Sequence, residues 1–150
     1  MVHWSKIDEI LDFAISEEEA ASEFYAGLAE RAEHTSMRKV FEGFAREEQG
    51  HKAKLLAVKS GKVVMGAKSE ILDLKVGDYL VDVELSSDMS YQDALIVAMK
   101  KEKAAFKMYQ DLAAIARDEK VKAVFLALAQ EEAKHKLRFE IEYDDLMAED

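Results

Sequence analysis

The chain has 150 residues, 49% of them apolar, and its 31 acidic side chains outnumber its 21 basic ones to give a net charge of −10. That length suits one domain over residues 1–150 with a sizeable core, and the acid excess disfavours nucleic acid as a main partner, because phosphate binding calls for a basic face. There is no Cys and no Pro; the first absence excludes disulfides, thiolate metal sites and thiol catalysis, the second leaves the chain without its strongest helix breaker.

No stretch approaches the roughly 18 apolar residues of a membrane span. Met1–Glu9 lacks the basic start and apolar run of a secretory signal, so a cytoplasmic protein with no membrane partner is expected. The first predicted element is a helix over residues 5–33. Its apolar and small residues, Ile7, Leu11, Ala14, Ala21, Tyr25, Leu28 and Ala32, recur in steps of four and three. Ser5 with Asp8 makes a weak capping box at its start. A second helix, over 36–59, carries Met37, Phe41, Phe44, Leu55 and Val58 on one stripe.

Residues 60–89 differ in chemistry. Gly61, Gly66 and Gly77 punctuate them, and Val63-Val64-Met65 and Ile71-Leu72-Asp73-Leu74 are apolar pieces without helical length. A short helix or strand is expected near Asp78-Tyr79-Leu80-Val81. At up to ~3.3 Å per residue this segment can cross a bundle from end to end. A third helix, over 90–117, opens at Ser90 with Asp93 placed for a capping box, and its stripe reads Leu95, Ala98, Ala105, Tyr109, Leu112 and Ala116. The fourth, over 119–148, starts near Asp118 and carries Val121, Phe125, Leu128, Phe139 and Leu146. The expectation is an all-α four-helix bundle, two antiparallel hairpins joined by one long crossover.

The two halves repeat. At an offset of 84 residues, 16 of the 42 positions from Leu11 to Lys52 are identical without a gap, from Leu11/Leu95 through Tyr25/Tyr109 to His51/His135 and Lys52/Lys136. Such a duplication predicts a pseudo-two-fold bundle with equivalent residues facing each other across the axis.

Each apolar stripe is interrupted by charge. The four-three rhythm lands on Glu18 in the first helix, on Glu48 and His51 in the second, on Glu102 in the third and on Glu132 and His135 in the fourth. Four glutamates and two histidines then point at one core. Buried without partners, the carboxylates would cost many kcal/mol or would take up protons. Two divalent cations resolve this, balancing four glutamates while the imidazoles bind neutral. Glu-x-x-His puts a carboxylate and an imidazole one turn apart on one helix face. Carboxylate-rich sites with one His per metal suit iron or manganese better than structural zinc. A lone Glu-x-x-His is a weak signal; its strength here is register, since Glu18 to His51 and Glu102 to His135 both span 33 residues.

The strings Glu18-x-x-Ala21-x-x-x-Tyr25, Glu48-x-x-His51, Glu102-x-x-Ala105-x-x-x-Tyr109 and Glu132-x-x-His135 resemble the ferritin-like di-iron superfamily, and within it the rubrerythrin-related group. The resemblance covers residues 5 to about 147 apart from the crossover, which is the long connection such bundles require. It implies two iron ions, with Glu18 and Glu102 as terminal ligands, Glu48 and Glu132 as bridges, and His51 and His135 each capping one ion. Manganese is the other candidate. Two departures stand out. Full-length rubrerythrins add a rubredoxin with two Cys-x-x-Cys pairs, whereas this chain, lacking Cys, would need electrons from a separate protein such as a rubredoxin. Their extra glutamate one turn after the third-helix ligand falls on Ala105 here, which brings the set closer to bacterioferritin-type ferroxidase sites.

Neighbouring residues are read more plainly. Glu17, Glu19 and Glu23 have Lys101, Lys103 and Lys107 as repeat counterparts and are expected at the surface. Glu47 and Glu131 lie about 100° around the helix from the ligand stripe and belong on the outer face, or alternatively hold basic groups near the site. Tyr25 and Tyr109 either orient ligand carboxylates or pack the core, and His3 and His34 are expected to be exposed. The expected activity is redox turnover with hydrogen peroxide or dioxygen, as a peroxidase or ferroxidase and as a homodimer. The alternative is an iron-binding or storage protein without sustained turnover.

Overall fold

The computed structural model describes residues 3–4, 7–61, 74–75 and 88–148. Four helices carry the fold: α1 Ile7–Arg31, α2 Thr35–Lys59, α3 Tyr91–Ile115 and α4 Glu119–Ala148. Each predicted boundary falls within two residues of the observed one. Two short strands, β1 His3–Trp4 and β2 Leu74–Lys75, pair antiparallel with His3 opposite Lys75 and Trp4 opposite Leu74. They tie the start of the chain to the crossover, a contact too short to leave a periodic signature. The capping box at Ser5 and the element sought near residues 78–81 lie outside the described residues.

Local chemistry sets the helix ends. Ser90 caps α3, its hydroxyl accepting from the backbone N–H of Asp93, and the Asp118 carboxylate accepts from the N–H groups of Lys120 and Val121 at the start of α4. These bonds satisfy donors that a first helical turn leaves without intrahelical partners. At the far end of α2, Gly61 turns the chain away at a φ of +83°, in the left-handed region that suits glycine.

Two apolar clusters show how the helices run. The first joins the start of α1 (Ile10, Leu11, Ala14), the end of α2 (Leu55, Val58), the end of α3 (Tyr109, Leu112) and the start of α4 (Val121, Phe125). The second joins the opposite ends, through Tyr25 and Leu28, Phe41, Leu95 and Ala98, and Phe139. Hence α1 is antiparallel to α2 and α3 to α4, while α2 ends at one pole of the bundle and α3 begins at the other. The end of α2 and the start of α3 thus lie at opposite poles, as a bundle with one long crossover requires. The 84-residue repeat carries one cluster onto the other, so its pseudo-two-fold axis lies across the bundle. Between the two clusters lies a polar layer.

Candidate metal centre

That layer consists of Glu18 from α1, Glu48 and His51 from α2, Glu102 from α3, and Glu132 and His135 from α4, none more than 4% exposed. The same heptad-like stripes that bury Leu11 and Tyr25 on α1, or Leu128 and Phe139 on α4, bury these charges between them. All six residues picked from the repeat are brought together. Nδ1 of His51 lies 2.9 Å from Glu132, 3.1 Å from Glu48 and 3.4 Å from Glu18. Nδ1 of His135 lies 3.5 Å from Glu48 and 3.7 Å from Glu102. Two quartets result, Glu18, Glu48, His51, Glu132 and Glu48, Glu102, Glu132, His135, each with donor atoms within 4.8 Å of one another. Glu48 and Glu132 belong to both.

These approaches do not satisfy the groups that make them. Glu18 Oε2, both oxygens of Glu48, Glu102 Oε2, Glu132 Oε1 and both Nδ1 atoms are buried without a hydrogen-bond partner. Each such orphan costs about 1–3 kcal/mol, and more when charged. A single Nδ1–H cannot serve three carboxylates at once. A cation at the centre of each quartet can serve all of them, so the donor set fits divalent metal.

Protonation tells the same story. Burial and the neighbouring Glu132 push Glu48 up to about 7. Burial likewise raises Glu18 to about 7 and Glu102 to about 8, and lifts Glu132 well above the carboxylate range, with Glu102 adding to it. Burial opposes a charge on His51, yet the carboxylates of Glu132, Glu18 and Glu48 outweigh it and push the imidazole up to about 12. Without metal the layer holds protons that a metal would displace.

The outer contacts are not symmetric. Tyr109 donates its hydroxyl to Glu18 Oε1, whereas the hydroxyl of Tyr25, equally buried, has no partner. Tyr25 instead packs its ring 5.2 Å from Phe139 and 6.1 Å from His135. Tyr109 therefore holds a buried carboxylate, whereas Tyr25 packs the core. On the other half, Nε2 of His135 contacts Glu47, and Phe44 stacks on the His135 ring at 3.9 Å.

Glu47 refines the outer-face expectation. Its side chain is 49% exposed, off the inward stripe as its spacing requires, but its carboxylate reaches from α2 to the far nitrogen of a histidine on α4. Glu131, its counterpart, pairs with Lys134 at 3.3 Å and belongs with Glu47 and His135 to a third group of donor atoms within 4.8 Å of one another. His34 is exposed, and Glu19 is held by Gln49 and Lys52 on α2. Glu17 departs from expectation: it is half-buried and lines an opening that leads to Glu18 and Glu102.

The rubrerythrin family model matches residues 9–80 and 93–149. The chain belongs to the rubrerythrin family. A hypothetical protein from Pyrococcus furiosus is 27% identical, with a TM-score of 0.73 over 94% of this chain and 90% of its own. A Thermotoga maritima structure titled as a ferritin-like diiron-carboxylate protein has a TM-score of 0.83 over 96% of this chain and 98% of its own, at 19% identity; that likeness is one of fold. A search of curated proteins returns no match. Rubrerythrin membership and the neighbour's fold agree with a four-helix bundle, and no helix among the described residues is long and apolar enough to cross a membrane.

Proposed function

We propose that this rubrerythrin-family protein holds two iron ions in its polar layer and uses them to reduce hydrogen peroxide or dioxygen. The observation that carries the reading is the pair of overlapping, fully buried quartets whose inward atoms have no other partner. Glu48 and Glu132 would bridge the two positions, Glu18 with His51 would complete one, and Glu102 with His135 the other. When bound, a ferrous pair supplies the two electrons that, with two protons, convert hydrogen peroxide into two waters.

The chain's own residues do the rest. Apolar clusters at both ends of the layer limit its contact with bulk water, which strengthens charge interactions within it. Tyr109 fixes the rotamer of Glu18. Glu47 holds Nε2 of His135, which leaves Nδ1 to face the centre and fixes the tautomer, the usual service of a carboxylate to a ligating histidine. With no Cys in the chain, re-reduction would fall to a separate protein of the rubredoxin kind.

The experiment is an anaerobic ferrous titration followed by stopped-flow mixing with hydrogen peroxide and, separately, dioxygen. The reading predicts two irons per chain, oxidation by at least one oxidant, and repeated turnover with a reduced donor. Iron continuing to accumulate far beyond two per chain as mineral would replace it with storage. Preferential loading and activity with manganese would change the metal but keep the ligand set.

A further inference from the structure

The hairpins pack tightly within themselves, α1 along α2 and α3 along α4, and meet each other at wider spacing. On the α1–α3 side an opening is left where Ala21 and Ala105 come together. Both alanines sit on the inward stripe, one turn after Glu18 and Glu102, yet both remain partly exposed. Their methyl groups do not close the wall.

The opening is built from pairs that the internal repeat exchanges. Half-buried Glu17 and Lys101, the two partly exposed alanines, and the buried Glu18 and Glu102 all line it. Glu48 and Glu132 reach the same space, and so does the fully buried Tyr25 side chain, whose hydroxyl has no hydrogen-bond partner. Its interior volume is about 30 Å³, room for about two water-sized molecules. A passage of that size, ending on polar atoms without partners, admits a ligand of two heavy atoms and little more.

We propose that this opening is the port through which an oxidant of two heavy atoms, hydrogen peroxide or dioxygen, reaches the carboxylate layer, and that alanine at positions 21 and 105 sets its size limit. The proposal rests on the redox reading above and adds the route and its size limit: organic hydroperoxides are excluded by the wall and not by the chemistry.

The test uses the full chain in two forms. In the cobalt(II)-loaded protein, azide binding is followed by visible absorption; in the ferrous protein, oxidation rates are compared for hydrogen peroxide and tert-butyl hydroperoxide. Ala105→Leu should keep two metals per chain while weakening azide binding and slowing peroxide oxidation by at least about tenfold, the scale on which a few carbons discriminate in a closed pocket. Ala21→Leu, on the opposite wall, should do the same, so failure of one variant to fold leaves the other decisive. Ala105→Gly should shift the rate ratio toward tert-butyl hydroperoxide. Unchanged azide binding in both leucine variants, or an unchanged ratio in Ala105→Gly, overturns the port. If two ferrous ions bind but neither oxidant reacts, the redox reading falls, while the azide measurement still decides whether the opening is the route in.

Discussion

The two halves of the polar layer share a sequence plan and differ in how it is held. In the half built on Glu18 and His51, the glutamate is anchored, by the Tyr109 hydroxyl. In the half built on Glu102 and His135, the histidine is anchored, by Glu47 on its outer nitrogen and Phe44 on its face, while Tyr25, placed to serve Glu102, makes no hydrogen bond. The repeat thus fixes which donors reach the layer, and the divergent neighbours decide how firmly each is set. Two equivalent quartets should give two positions of unequal affinity.

The largest effect is expected where the halves join. Glu48→Ala or Glu132→Ala removes a donor from both quartets and should abolish the paired site, with metal per chain falling from two to one or fewer in anaerobic cobalt or ferrous titration. His51→Ala and His135→Ala should each cost one position and leave its partner; loss of both ions from either variant would mean that the halves cannot load independently.

Next come the anchors. Tyr109→Phe should weaken the Glu18 position, and Glu47→Gln the His135 position, each by about 10–100-fold in affinity, the range for groups that orient ligands. Tyr25→Phe should weaken neither. Equal effects of the two tyrosine changes in the same titration would erase the asymmetry.

A smaller effect is a pH dependence. Burial raises Glu18 and Glu48 to about 7 and Glu102 to about 8, against 4.5 for the free side chain. Between those values the folded metal-free protein keeps protons that the unfolded chain releases, so its stability falls as pH rises through about 4.5 to 8. The Tm of metal-free protein should therefore be higher at pH 5 than at pH 8. Metal displaces those protons, so the increment in Tm from metal should grow over the same interval. A flat difference would contradict the protonated layer. The smallest change is expected from Glu17→Ala, which should leave metal content untouched because Glu17 is only half-buried and belongs to neither quartet.

Much of this arrangement was legible in the amino-acid sequence, for a physical reason. Helical periodicity is strong over 25 residues, and a charge that lands on an apolar stripe stands out, so Glu18, Glu48, His51, Glu102, Glu132 and His135 are marked by their spacing alone. Duplication doubled the signal. It also hid the differences, because a repeat argues for equivalence and says nothing about Tyr109 bonding where Tyr25 does not. Periodicity tracks backbone direction and so puts Glu47 on the outer face, whereas its side chain crosses between helices to reach His135. The opening beside Ala21 and Ala105 depends on the spacing between hairpins, which no single helix encodes. The pairing of Leu74–Lys75 with His3–Trp4 was too brief to leave a pattern.

Whether one layer holds two metals can be seen by anomalous diffraction at the iron edge from crystals grown anaerobically with ferrous iron. The account predicts two peaks, both between Glu48 and Glu132, one toward His51 and one toward His135. A single peak in the layer, or iron bound only at surface carboxylates, would contradict it.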